Sequence, residues 1–166
     1  MIKVGITGPE STGKTSLAQA LSSLYKCPWV PEYARDYLEN NFNYTQQDLL
    51  RIANEHWNKM NEVENKYPYV FYDTEMTVIK IWSMFKYGSV DKEIIEKHQK
   101  QAIDIYLLCD IDIPWAYDPL REHPDNREEL LQLYIRDLEA EGRNYYLLSG
   151  DLNERIKKVK GILKEY

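Results

Sequence analysis

The residues with the clearest chemical signature lie in a glycine-containing loop near the start of the sequence. Residues 8–15 read GPESTGKT and fit the pattern G-x-x-x-x-G-K-[ST] at every fixed position. The glycines of such a loop let backbone N–H groups turn toward phosphate oxygens, and the dipole of the following helix adds positive potential. Lys14 supplies a mobile positive charge for the β- and γ-phosphates, and the Thr15 hydroxyl is a ligand for Mg²⁺. The loop therefore predicts a site for ATP with Mg²⁺.

Acidic residues follow three of the apolar segments that we predict to be strands. They are Glu32, Asp73 with Glu75, and Asp110 with Asp112. Ligands of parallel sheets bind beyond the carboxyl ends of the strands, so these side chains are expected near the loop. One carboxylate could take a proton from an acceptor hydroxyl, and another could hold Mg²⁺ directly or through water. We expect Glu32 and Asp73 to be catalytic, with Asp73 also a metal ligand. Which of the two is the general base and which serves Mg²⁺ stays open.

Arginine and aromatic side chains supply further candidates. Arg35, Arg121 and Arg127 could neutralise charge on a transferring phosphoryl group. The last two lie in or beside a proline-containing stretch at about 111–127, where we predict a mobile lid over ATP. Tyr33 and Trp115 could stack on a flat ring. The residues expected to bind the nucleotide are therefore Gly8, Ser11, Thr12, Gly13, Lys14, Thr15 and Arg127.

Short apolar runs alternate with helical stretches along the chain, which is typical of βαβ units around a parallel sheet. The predicted strands are residues 2–7, 28–30, 69–72, 105–109 and 145–148. The predicted helices are residues 14–25, 46–66, 76–86, 92–102, 127–141 and 151–164, the second of them starting at a capping box of Thr45 and Asp48. Together they predict one α/β domain over residues 1–166, with the three-layer P-loop NTPase fold and a five-stranded parallel sheet.

Composition and charge exclude several functional classes. The 166 residues carry a formal net charge of −6, which argues against a general nucleic-acid binder. No apolar run approaches the roughly 20 residues of a membrane span, and the first residues predict a strand, not a secretion signal. Cys27 and Cys109 fit no metal or redox spacing and are expected to be buried thiols in a reducing, cytoplasmic setting. The histidines, expected only in surface or packing roles, are His56, His98 and His123. A homo-oligomer is possible.

Four segments occur in an order that is characteristic of one enzyme family. They are 8–15 (GPESTGKT), 32–35 (EYAR), 71–75 (FYDTE) and 115–121 (WAYDPLR). They are similar to G-x-E-S-[ST]-G-K-[ST], E-Y-G-R, F-[IL]-D-T-[DE] and W-x-x-D-G-x-R. In this order, and over almost the whole chain, they resemble the ribosylnicotinamide kinase domain of the NadR-type NAD-biosynthesis proteins.

The resemblance implies ATP-dependent phosphorylation of the ribose 5′-hydroxyl of nicotinamide riboside, which gives nicotinamide mononucleotide. It also implies a nucleoside-like small-molecule substrate. The residues expected to bind it are Tyr33, Arg35, Glu75, Trp115 and Asp118, with Arg121 in catalysis. The sequence departs from the family at Pro119, where a glycine is usual and where proline would stiffen the chain. Because the chain starts at its first kinase strand, we expect neither the nucleotidyltransferase domain nor the DNA-binding module of that family.

Other P-loop classes fit the sequence less well. Guanine-binding switches carry N-K-x-D, but Asn58-Lys59 is followed by Asn61, and Asn65-Lys66 by Pro68. Mechanical ATPases would have adjacent Asp and Glu at a strand end, whereas Thr74 intervenes here. A kinase for another nucleoside or nucleotide, and a non-catalytic ATP-binding regulatory module, both stay open.

Overall fold

A computed structural model describes residues 1–39 and 43–166 of the chain. Within these ranges the strands are β1 (Ile2–Thr7), β2 (Trp29–Val30), β3 (Tyr69–Asp73), β4 (Ile105–Cys109) and β5 (Tyr145–Leu148). The helices are α1 (Lys14–Tyr25), α2 (Tyr33–Leu38), α3 (Gln46–Asn61), α4 (Met76–Tyr87), α5 (Lys92–Lys100), α6 (Arg127–Ala140) and α7 (Leu152–Ile162), and a 3₁₀ turn covers Leu163–Glu165. No helix of these two ranges is both long and apolar enough to cross a membrane.

The strands form one parallel sheet in the order β2-β3-β1-β4-β5. β1 lies at the centre and pairs with β3 on one side and β4 on the other. The carboxyl ends of these three strands therefore meet at one edge of the sheet, and the loop 8–15 lies between the segments that follow β3 and β4. The predicted five-stranded parallel sheet is confirmed.

Helices cover both faces of the sheet because apolar side chains point alternately to its two sides. Val4 of β1 packs with Leu17 of α1 and Val159 of α7 on one face. Val70 of β3 packs with Ile52 of α3 on the other. All five side chains are fully buried. The domain thus has the predicted three layers, with the core on both sides of the sheet.

Two segments differ from the predicted elements. The helix predicted over 46–66 ends at Asn61. The next residues are mostly polar and lead to Pro68, and a residue before proline disfavours the helical conformation. The helix α2 was not predicted, because six residues are too few to establish a helical period. The other predicted helices are present, with ends shifted by one or two residues.

The predicted capping box at the start of α3 is confirmed. The Asp48 carboxylate accepts a hydrogen bond from the Thr45 backbone N–H at 2.8 Å, and the Thr45 hydroxyl oxygen accepts one from the Asp48 N–H at 3.3 Å. Tyr37 of α2 donates to the same carboxylate at 2.8 Å. Asp48 therefore joins the short helix α2 to α3.

Candidate functional site

The loop 8–15 leaves the end of β1 in a conformation that requires glycine. Gly8 has φ +127° and Gly13 has φ +80°, both in the region that side chains rarely adopt. A Cβ on Gly8 would lie 2.8 Å from the carbonyl oxygen of Cys109. The Thr12 hydroxyl donates to the carbonyl of Pro9 at 2.8 Å. These contacts shape the backbone into a turn that packs directly on β4.

The positive end of α1 and the Lys14 ammonium both face this loop. Gly13 caps α1 without a side chain, so the first N–H groups of the helix remain available to an anion. The Lys14 Nζ atom donates to the carbonyls of Gly8 at 2.9 Å and Pro9 at 2.7 Å. The loop is therefore a concave, positively polarised site that suits phosphate.

Asp73, the last residue of β3, is buried beside the loop. Its side chain is 1% exposed, and its Oδ1 atom has no hydrogen-bond partner among the described residues. Burial raises the pKa of Asp73, while a hydrogen bond from the Thr15 hydroxyl and the charges of Lys14 and Arg35 lower it in part. A carboxylate oxygen that lacks a donor, next to a hydroxyl, suits a divalent cation.

Magnesium is held by few protein ligands when phosphates supply the others. Among residues 1–39 and 43–166, no group of three or more His, Cys, Asp or Glu side chains is arranged to hold a metal ion. The donor set of Thr15 and Asp73 therefore fits a cation that shares its coordination with nucleotide phosphates and water, and not a self-contained metal centre.

Glu32 follows β2 and immediately precedes α2. Glu32 lines a cavity that starts at the loop 8–15. Burial is the largest influence on the pKa of Glu32 and raises it; Lys14 lowers it, and the neighbouring Asp73 raises it further. A carboxylate with a raised pKa at the wall of a cavity is a typical proton acceptor.

The cavity has a volume of about 170 Å³ and extends from the loop into a mostly apolar chamber. The chamber is lined by Leu38, Val78, Ile81, Trp82, Phe85 and Tyr134, together with residues of the segment 120–130. His123 also lines it and packs edge-on against Phe85, with 4.8 Å between ring centroids. His123 thus belongs to the candidate site, although the sequence suggested no more than surface or packing roles for it.

Sequence reasoning missed the chamber residues of α4. Three of them, Val78, Trp82 and Phe85, recur at helical spacing on one side of the helix. Ile79, on another side, is buried in the core. The available signal was that apolar residues surround α4 on more than one side, although a helix that packs on a sheet buries only one face.

The segment 111–126 covers the loop 8–15. The Ala116 N–H donates to the Ser11 hydroxyl at 2.9 Å. The Arg121 guanidinium donates to the same hydroxyl at 3.3 Å and to the Ala116 carbonyl at 2.5 Å. Ser11 therefore links the phosphate loop to this segment, and Arg121 is held over the loop.

Glu10, at a variable position of the loop pattern, makes the second link to the segment 111–126. Its Oε2 atom accepts hydrogen bonds from the N–H groups of Glu122 at 2.9 Å and His123 at 3.1 Å. The Glu122 side chain in turn accepts from Lys86 of α4 at 2.6 Å and from the hydroxyl of Tyr44. The covering segment is thus tied to both the phosphate loop and α4.

Arg127, at the start of α6, joins the two ends of the covering segment. Its Nη2 atom donates to the carbonyls of Ile111 at 3.1 Å, Ile113 at 2.8 Å and Ser11 at 3.3 Å. The guanidinium carbon lies 6.0 Å from the centre of the Trp115 ring. Desolvation lowers the pKa of Arg127.

Of the five residues expected to bind the acceptor, the described cavity is lined by Arg35 alone. Asp118 forms an ion pair with Arg35 at 2.9 Å. Glu75 is fully buried and caps α4 by accepting from the N–H of Thr77 at 2.7 Å. Tyr33 packs against Tyr37, and Trp115 against Arg127. Neighbouring groups thus contact the four expected acceptor residues other than Arg35, and the role of all five in binding the acceptor stays a prediction.

Arg155 of α7 is a residue that sequence reasoning missed. Its side chain is 1% exposed, and its Nη2 atom pairs with Asp112 at 2.7 Å. It also donates to the carbonyls of Thr12 at 2.5 Å, Asp110 at 3.1 Å and Gly150 at 3.0 Å. It therefore joins the phosphate loop to the ends of β4 and β5. The sequence signal was its spacing: Arg155 lies four residues before Val159, and residues four apart lie on the same side of a helix, here the apolar side.

Comparison with known proteins agrees with this geometry. The profile of the family described as AAA domain matches residues 3–155. No curated protein matches the sequence significantly. Among solved structures, a NadR protein in complex with NR aligns with a TM-score of 0.79 and 21% identity, covering 98% of this chain and 49% of that one.

Two further structures are similar. A NadR protein in complex with NAD and AMP-PNP aligns with a TM-score of 0.73 and 22% identity, over 90% of this chain and 44% of that one. A deoxyadenosine kinase from M. mycoides aligns with a TM-score of 0.70 and 13% identity, over 99% of both chains. The chain thus spans about half the length of the NadR structures and shares the fold of all three. Because the family profile covers residues 3–155 of 166, the chain belongs to the AAA domain family.

Proposed function

We propose that this protein is an ATP-dependent nucleoside kinase that phosphorylates the ribose 5′-hydroxyl of nicotinamide riboside or a closely related nucleoside. Three things support the proposal: the phosphate loop, the cavity that continues from it, and the resemblance of four sequence segments to the NadR-type kinase domain. A similar NadR structure holds NR, and another holds NAD with an ATP analogue.

The position of Glu32 is the observation on which the proposal mainly rests. Glu32 lines the cavity that joins the phosphate loop to the apolar chamber, and Lys14 of the loop is close enough to lower its pKa, so an acceptor hydroxyl bound there would meet the γ-phosphate near Glu32. The chamber offers the rings of Trp82, Phe85 and Tyr134 to a flat heterocycle. We assign Glu32 as the general base because it lines the cavity, whereas Asp73 lies beside Thr15.

Thr15 and Asp73 would hold Mg²⁺ through the Thr15 hydroxyl and the Asp73 Oδ1 atom, which accepts no hydrogen bond from the described residues. The ion supplies neutralisation of charge on the phosphates. Lys14 would move from the carbonyls of the loop to the β- and γ-phosphates, and Arg121 would stabilise the phosphoryl group in transfer. Arg127 would border the nucleotide beside Trp115.

We further propose that residues 111–127 form a lid that excludes water from the transfer. The contacts of Glu10 and Ser11 with this segment support a closed position over the phosphate loop. Arg35 and Asp118, whose ion pair joins α2 to the segment, would hold the lid against the acceptor side. We place the enzyme in the cytoplasm, since both cysteines are buried free thiols.

The proposal is tested by measuring ADP release from Mg²⁺-ATP with and without nicotinamide riboside, and by locating the new phosphate on the product by mass spectrometry and ³¹P NMR. Deoxyadenosine and thymidine monophosphate belong in the acceptor panel, because kinases for such acceptors share the fold. ADP release that no acceptor stimulates would leave a non-catalytic ATP-binding module as the better interpretation.

Glu32→Gln should lower kcat by about 10²- to 10⁴-fold, which is the usual contribution of a general base. ATP binding, measured by calorimetry, should stay within about three-fold of wild type, because the phosphate loop is unchanged. Glu39→Gln, in the exposed residue that follows α2, is the matched control. Equal turnover of the two variants would remove Glu32 from the mechanism.

A further inference from the structure

Thr74, between Asp73 and Glu75, has a backbone conformation that is rare for its residue type. Its φ is +69°, in the left-handed region, where a β-branched side chain clashes with its own backbone. The residue is 2% exposed, and its N–H donates to the carbonyl of Ile6 at 3.1 Å. Such conformations persist only where the surrounding structure holds them, and they concentrate at functional sites.

His56 of α3 is aimed at this turn. Its ring is 1% exposed, and its Nε2 atom lies 3.2 Å from the carbonyl oxygen of Thr74. A carbonyl can only accept, so Nε2 carries the proton. The other ring nitrogen, Nδ1, has no hydrogen-bond partner in the part of the chain that the structure describes. Burial lowers the pKa of His56 to about 4, so the ring is neutral at neutral pH.

We infer that His56 is a positioning residue for Asp73: its hydrogen bond holds Thr74 in the left-handed turn and thereby fixes the direction of the Asp73 carboxylate. A change of φ at residue 74 would rotate the peptide that joins it to Asp73. It would also move Glu75, which caps α4 through the N–H of Thr77. The three residues Asp73, Thr74 and Glu75 thus act as a functional carboxylate, a constrained turn and a helix cap.

Simple packing does not require this arrangement. An apolar side chain of similar size on this buried side of α3 would fill the same space without burying a polar ring. Among the described residues the buried ring makes one hydrogen bond, to the carbonyl of a residue whose backbone is strained, which is the expected arrangement for a group that maintains the strain. The catalytic consequence rests on the proposed function, whereas the effect on the turn does not.

The test compares His56→Leu, His56→Gln, Thr74→Gly and the double variant His56→Leu/Thr74→Gly in the full chain. Leucine removes the donor. Glutamine restores an N–H at the position of Nε2. Glycine adopts a positive φ without steric cost, so it removes the need for the hydrogen bond. Two readouts are used: steady-state kinetics with Mg²⁺-ATP and nicotinamide riboside, and crystal structures of wild type and His56→Leu.

We expect His56→Leu to lower kcat about 10- to 100-fold, because a displacement of about 1 Å at a reacting group costs on that order. The KM for ATP should change less than about two-fold. His56→Gln and the double variant should both recover most of the loss. In the crystal structure of His56→Leu, φ of Thr74 should leave the left-handed region and the Asp73 carboxylate should shift.

A His56→Leu structure that keeps both the positive φ and the carboxylate position would overturn the inference, as would a wild-type kcat. If wild type shows no acceptor-dependent turnover, the proposed function fails, and the crystal structures alone still decide the role of His56. If His56→Leu is insoluble, His56→Asn takes its place, because the asparagine side chain is too short for its N–H to reach the Thr74 carbonyl.

Discussion

Replacing Arg155 by methionine would remove the buried guanidinium that ties the phosphate loop to the neighbouring strand ends. Methionine keeps an unbranched apolar stem of similar reach but donates no hydrogen bond. The variant loses the ion pair with Asp112 and the three bonds to the carbonyls of Thr12, Asp110 and Gly150. It therefore tests whether the loop is shaped by its own sequence or by α7.

The size of the effect follows from burial. Breaking a buried charge pair by removing one partner costs about 3–5 kcal/mol, and each buried acceptor left without a donor costs about 1–3 kcal/mol. Asp112 is 35% exposed and can regain water, so its share falls to the lower end. Asp110 and Gly150 are half-buried, so their carbonyls can also regain water, whereas Thr12 is buried. We therefore expect the free energy of unfolding to drop by about 4–6 kcal/mol. The Kd for ATP should rise by about ten-fold, since the Thr12 carbonyl is no longer anchored.

Urea denaturation followed by tryptophan fluorescence measures the first quantity, and calorimetry with ATP the second. Arg136→Met, on the exposed side of α6, is the matched control and should change the unfolding free energy by less than about 0.5 kcal/mol. Arg155→Lys should be intermediate, because one ammonium cannot reproduce the fork of the guanidinium. Arg155→Met with the stability and ATP affinity of the control would refute the reasoning.

Three further perturbations follow from single contacts. Glu10→Ala should loosen the segment 111–126 and lower kcat about ten-fold, while Glu10→Gln, which keeps a carbonyl acceptor, should retain most activity. Steady-state kinetics measure both variants, and equal kcat values would contradict a role of the Glu10 side chain in holding this segment. Because the folded-state pKa of Glu32 is raised, kcat/KM should fall with decreasing pH through a value above about 4.3, and a limb at or below that value would count against Glu32 as base. Hydrogen bonds from Thr45 lower the pKa of Asp48 to about 2, so its stabilisation is complete above about pH 4 and is lost toward pH 2; urea unfolding across this range should show Asp48→Asn approaching wild type as the pH falls.

The fold could be predicted largely from local patterns. The strands around residues 2–7 and 105–109 are short apolar runs bounded by polar turns. In the loop 8–15 the sequence places glycine at positions 8 and 13, where the backbone has a positive φ. The helix α2 escaped prediction because its six residues are too few to show a helical period, and because a contact with Asp48 of the next helix helps to hold it. The end of α3 was placed too late because helix ends depend on weak local preferences.

The candidate site was only half predictable. The phosphate loop follows from residue type and spacing, and Glu32 and Asp73 were expected from their places at strand ends. Arg121 was expected from its place in the proline-containing stretch and from the resemblance to the NadR-type kinase domain. The residues of the chamber, such as Trp82 on α4 and Tyr134 on α6, carry no motif. They become a site only when two helices that are distant in sequence pack side by side on the sheet.

The sequence by itself determined the parallel sheet and the phosphate loop, since both depend on the conformational preferences of contiguous residues. Only the tertiary structure decided which polar side chains face the cavity. Glu32 lies at its wall, whereas Glu75, with the same carboxylate, caps a helix. The physical reason is that a carboxylate acquires its role from the donors, charges and solvent around it, and residues from distant parts of the chain supply these.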